Sequence, residues 1–110
     1  MTTGNLQMDP HVSRALAGEE VLAAVELEQV LVALTPSRLI IADPQRLRLD
    51  LPLAELHRVQ LVVESDRPGM LTFIPKSDRY PADLVPVPRE QFEEAGQVVM
   101  AIGRVVAGQP

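Results

Sequence analysis

Between residues 19 and 87 the hydrophobic residues come in short runs broken by Pro, Gly, Asp and Ser; from Pro88 onward they recur every three or four positions. That change of period restricts the fold more than any other feature. Side chains alternate faces with period two on a strand, and they return to one face with period 3.6 on a helix. A series of strands followed by one terminal helix is the expected order.

Residues 46–51 read Arg-Leu-Arg-Leu-Asp-Leu, an alternation that leaves one face apolar and the other charged. Residues 21–27 and 29–35 are rich in Val and Leu and meet at Glu26, Glu28 and Gln29, so two antiparallel strands joined by a tight acidic turn are predicted. Thr35-Pro36-Ser37 and Asp43-Pro44-Gln45 are turn signals around a third strand at 38–42. A connector at 52–56, with room for one helical turn, leads to a fifth strand at 57–64. The 65–69 loop precedes a sixth at 70–74. A seventh at 80–85 is interrupted by Pro81, which suits an edge.

The closing helix is predicted over 88–107, with Phe92, Ala95, Val99, Ile102 and Val106 as its apolar stripe and Val98 and Val105 widening it. Glu90, Glu93 and Glu94 near its start and Arg104 near its end suit the helix dipole. Gly96 and Gly103 are unfavourable inside a helix, and close packing on the sheet would explain them. Ahead of the strands, residues 1–18 form an N-terminal segment. In it Asp9-Pro10 suits a helix start, Val12, Ala15 and Leu16 share a face, and Gly18 suits a helix end.

The chain has 110 residues and no Cys, which excludes disulfides, thiolate nucleophiles and Cys-ligated zinc. Phe73, Tyr80 and Phe92 are the three aromatic residues, so the core is built from Leu, Val, Ile and Ala, and base-stacking platforms are poorly supplied. Ten basic residues stand against fifteen acidic ones, for a net charge of −5. A nucleic-acid binder carries a basic face, so nucleic acid is not an expected partner. Residues 1–10 show no basic segment followed by an apolar run, and no apolar run approaches the roughly 18 residues of a membrane span. A cytoplasmic protein is expected.

Several longer stretches resemble the bacterial pleckstrin-homology-like (PH-like, GRAM-like) family. Gly-Glu-Glu-Val-Leu at 18–22 looks like its first-strand opening. VLVALTPSRLIIAD at 30–43 is similar to its second and third strands around a Thr-x-x-Arg turn. LPLAELHRVQL at 51–61 is similar to the end of its fourth strand and the connector into the fifth. The resemblance covers residues 18–107. It implies a curled antiparallel sheet or partly open barrel of about seven strands capped by one helix, with 19–107 as the PH-like domain. It also implies a non-catalytic module that binds peptides, proteins or lipid headgroups. The lipid function does not carry over to the first hairpin. Phosphoinositide-binding members hold a basic cluster there, whereas Val25-Glu26-Leu27-Glu28-Gln29 holds two carboxylates that repel phosphate.

No catalytic constellation is legible. His11 and His57 lack metal-ligand spacing, and none of Ser13, Ser37, Ser65 and Ser77 sits in a nucleophile elbow. Asp43, Asp50, Asp66 and Asp78 fall near turns, where Asp serves the backbone. No enzyme activity, metal or cofactor is expected. Two surfaces stand out. Arg38, Arg46, Arg48 and Arg58 lie on one strand and its expected neighbours. They form either a solvated face paired with Glu and Asp, or a patch for an acidic peptide, a carboxylate or a headgroup. Val98 and Val105, on the flank of the helix stripe, are the candidate surface for a homo-oligomer. A protein partner or a second copy is the expected ligand, with a small-molecule or headgroup binder, or a small enzyme, as the alternative.

Overall fold

The computed structural model describes residues 14–16 and 18–108. Among the described residues there are seven strands followed by a C-terminal helix, as the change of period implies. Strands β1 (Ala23–Leu27), β2 (Val30–Leu34), β3 (Arg38–Ala42) and β4 (Leu47–Pro52) form one antiparallel sheet in sequential order. Strands β5 (Leu56–Val62), β6 (Gly69–Pro75) and β7 (Asp83–Val87) form a second. A 3-10 turn, Leu53–Glu55, links the two. The strands therefore divide into two hydrogen-bonded sheets instead of one curled sheet, and they do not close into a barrel.

The β1–β2 loop has two residues, because Leu27 pairs with Val30. Glu28 takes a φ of 57° there, the positive value that the first position of such tight hairpins can require. The register then aligns apolar rungs across the first sheet: Val25, Val32, Ile41 and Leu49 form one, and Ala23, Leu34, Leu39 and Leu51 the next. In the second sheet Leu61, Leu71 and Val85 are aligned. These rungs face one core together with Phe73 and three residues of helix α1 (Phe92–Ala107).

Helix α1 follows a 3-10 turn, Arg89–Gln91, so the regular helix begins later than its stripe suggests. Its buried residues are Ala95, Val98 and Ile102. Val98 is thus at the centre of the buried face and not on its flank; Val99, Val105 and Val106 are half-buried around it. Close packing is not the reason for Gly96 and Gly103, since nothing lies within 4 Å of where a Cβ would sit on either. The close approach is at Gly69 instead. A Cβ there would stand 2.9 Å from Cε1 of Phe92 and 3.1 Å from the carbonyl oxygen of Val62. A glycine at the start of β6 lets the first aromatic residue of the helix rest directly on the sheet backbone.

Two bulges alter the alternation. Ile41 pairs with Leu49 and Ala42 with Leu47, so Arg48 is the extra residue on β4. Leu56 pairs with Pro75 and Arg58 with Ile74, so His57 is the extra residue on β5. Bulges re-aim side chains. The seventh strand starts after Pro81 and carries Pro86 inside it, on an edge of the second sheet. The missing N–H of proline is tolerated at such an edge.

Strands β2 and β3 differ from the rest. After a half-buried first residue, every position on them is buried. Leu39 and Ile41 face the main core, so Ile40 and Ala42 face the other way, with Leu31 and Ala33 beside them. The first sheet is therefore apolar on both sides along its two central strands, while Glu26 on β1 and Asp50 on β4 flank the outer strip. Of the N-terminal segment, residues 14–16 are helical and Leu16 packs against the cluster of Leu31 and Ala42. The predicted cap at Asp9-Pro10, and Val12, His11 and Ser13, lie outside the described residues.

Candidate functional site

The four arginines do not converge. Arg38 opens β3, and its guanidinium lies among Glu19, Asp50 and the carbonyls of Ala15 and Leu16. Nε donates to Oε1 of Glu19 at 3.0 Å, Nη1 to Oδ2 of Asp50 at 2.9 Å, and Nη2 to the Leu16 carbonyl at 3.3 Å and to that of Ala15. Arg48, turned by its bulge, pairs with Asp83 and donates to the Leu84 carbonyl at 3.3 Å, so it joins β4 to β7 across the two sheets. Arg46 falls in the turn before β4, exposed, where its backbone N–H donates to Asp43 Oδ1 at 3.0 Å. Arg58 is exposed on β5, next to the bulged and exposed His57. The strand alternation at 46–51 suggests a common face for Arg46 and Arg48; the bulge separates them.

The Thr-x-x-Arg turn has a clear physical basis. Thr35 is fully buried, and its Oγ1 accepts the backbone N–H groups of Arg38 at 2.9 Å and Ser37 at 3.3 Å. The Ser37 hydroxyl donates to Oε2 of Glu19 at 2.6 Å. Glu19 was not singled out by the sequence, because its partners stand 16 to 19 residues away.

The Ser37 hydroxyl first, and then Arg38, hold the Glu19 carboxyl below its ordinary value of 4.5, with burial opposing them. A carboxyl whose pKa is lower when folded adds stability that is complete above its unfolded value and lost as pH falls through the folded one. Glu19→Gln should therefore destabilise the chain at neutral pH. The gap between variant and parent, measured by denaturation from about pH 6 to pH 3, should narrow as the solution is acidified below 4.5.

A groove of about 530 Å³ opens between the first hairpin and the start of α1. Glu26 and Glu28 come from the hairpin and Glu94 from the first turn of the helix; Ala24 and Leu31 supply apolar wall, and Gln91 lies between the two elements. The Gln91 amide donates to the Glu26 carbonyl at 2.8 Å and holds the helix start beside β1. The acidic hairpin is visible in the sequence. The contribution of Gln91 and Glu94 is not, because it depends on the helix returning to β1.

Among the described residues, no group of three or more His, Asp or Glu side chains is placed to hold a metal ion. No buried side-chain nitrogen or oxygen among them lacks a hydrogen-bond partner. No helix among them is long and apolar enough to cross a membrane. Comparison with known protein families and with curated proteins gives no match.

Proposed function

We propose that this chain is a non-catalytic protein-interaction module of the PH-like kind, whose partner presents a basic segment to the groove between the first hairpin and helix α1. The groove carries this reading: three carboxylates surround it, with apolar wall at Ala24 and Leu31. Complementary charge steers encounter and selects partners. The order of strands and terminal helix supports the PH-like assignment. The internal pairing of Arg38 and Arg48 supports a partner that is not anionic, since those guanidinium groups already hold carboxylates.

The test is a titration by calorimetry or anisotropy with four probes: a short Lys/Arg-rich peptide, an acidic peptide of equal length, neutral vesicles and vesicles containing phosphoinositide. The basic peptide should bind, more weakly as salt rises. Glu28→Lys together with Glu94→Lys should weaken it on the order of tenfold or more, the factor that about 1.4 kcal/mol produces. Neither the acidic peptide nor the phosphoinositide vesicles should gain over their controls. Salt-sensitive binding to the anionic vesicles, with none to the basic peptide, would show an arginine headgroup site and defeat the proposal.

A further inference from the structure

We propose that the outer strip of β2 and β3 is a docking site for the chain's own N-terminal segment, whose helical turn at residues 14–16 is a detachable cover latched by Arg38. The inference does not use the carboxylates of the groove, although Leu31 borders both surfaces. It starts from Ala33 and Ile40, which are 0% exposed on the side of the sheet away from the main core, with Ala42 at 1% and Leu31 at 7% beside them. An antiparallel sheet with a single covered face alternates apolar and polar residues. Here β2 and β3 are buried on both faces, with Glu26 and Asp50 beside them on the outer side, so that central strip needs a cover of its own, and Leu16 is the described residue of the N-terminal segment seated there, against Leu31 and Ala42.

The polar side of the contact fits a helix end. The last carbonyls of a helical turn lack intrahelical partners. Arg38 donates to two of them, Ala15 and Leu16, and binds Glu19 immediately downstream. Gly18 lies between these contacts with a φ of 80°, a conformation that glycine adopts without strain. The chain thus leaves the helical turn and enters β1 through a residue suited to a hinge.

The latch is built to open. The side chains of Arg38, Glu19 and Asp50 are 24%, 30% and 32% exposed. Water can replace their mutual contacts without leaving a buried, unpaired charge, which is the expensive outcome for a fully enclosed pair. Lifting the segment exposes a strip of Leu31, Ala33, Ile40 and Ala42. Such an apolar face suits an amphipathic helix, and in the resting chain the occupant is the segment in cis.

Hydrogen exchange on the intact chain tests this. The Glu19 amide, which donates to the Leu16 carbonyl at 2.9 Å, should exchange on the order of 100-fold faster than the amides of Val32 and Ile41, through an opening that denaturant barely accelerates. Arg38→Gln and Leu16→Ser should each speed Glu19 exchange further, leave Phe73 unchanged, and raise binding of anilinonaphthalene sulfonate while the β signal persists. Equal rates and equal denaturant dependence at Glu19, Val32 and Ile41 in the unaltered chain would overturn the proposal, because the segment would then open only with the whole fold. That measurement decides the matter even where a variant does not fold. Unchanged Glu19 exchange in a folded Arg38→Gln would equally refute the latch. A doubled mass in Arg38→Gln without dye binding would refute the cis occupant, since the face would then be filled by a second copy.

Discussion

Val98→Glu is expected to abolish folding at neutral pH, while Val105→Glu leaves a folded protein. Val98 is 4% exposed, between Ala95 and Ile102 on the face that α1 turns to both sheets. A carboxylate placed there meets aliphatic side chains, and a buried charge without a partner costs roughly 3–5 kcal/mol. The lost valine contacts add to that. Domains of this size are stable by about 5–15 kcal/mol in total, so the variant lies at or below the threshold. Val105 is half-buried at the margin of the same cluster. A glutamate there extends to water and should cost about 1 kcal/mol, the centre of the usual mutational range.

The pH dependence identifies the cause. Burial raises the pKa of the introduced carboxyl. Its penalty is absent below the unfolded value, about 4.3, and grows as pH rises toward the folded one. Val98→Glu should therefore recover helical and β circular dichroism on mild acidification, opposite in sign to the effect of Glu19. A Val98→Glu protein that folds at pH 7 and has a lower assembly mass by light scattering would place Val98 on a contact between copies, and the burial argument would fail.

What the sequence revealed and what it withheld divide along physical lines. The strands and the helix were legible because local periodicity encodes them, and β3 at Arg38–Ala42 falls where the Arg-Leu-Ile-Ile-Ala run predicts. The bulges at Arg48 and His57 were not, since alternation continues through them and only the register across the ladder reveals the extra residue. The helix stripe was legible, but its centre was displaced. Val98 and Val99 are equally apolar, and which one points inward depends on how α1 lies against two sheets. The Arg38 cluster shows the same limit. Thr35 and Arg38 are three residues apart and their turn can be read locally, whereas Glu19 and Asp50 reach Arg38 only after β1, β2 and β4 are in place. The two-sided burial of β2 and β3 was present in the sequence as unbroken apolar runs. Runs of that kind signal a strand covered on both faces, but they do not specify what covers it.

Phe73→Ala is expected to lower stability by roughly 3–5 kcal/mol, the range for removing a fully buried aromatic side chain. Phe73 heads the largest fully buried side chains and is 0% exposed. It lies on β6, the central strand of its sheet, paired with Val59 on one side and Asp83 on the other. Its neighbours in the core are aliphatic side chains held on seven strands and one helix. Side chains anchored on hydrogen-bonded ladders move little, so the space left by the ring stays open and the cavity contribution is close to its maximum. For a domain of about this size each kcal/mol shifts the melting temperature by roughly 4–8 °C. The variant should therefore melt at least about 12 °C below the parent, with an unchanged denaturant slope. The chain has no Trp, so calorimetry or circular dichroism is the proper readout. Phe92→Ala supplies the contrast. Phe92 is half-buried over Gly69 at the start of α1, where its loss uncovers backbone to water in place of forming an enclosed void. It should cost clearly less than Phe73→Ala. A Phe92→Ala effect equal to or larger than that of Phe73→Ala would mean that the docking of α1 on Gly69, and not the centre of the second sheet, dominates the stability of the fold.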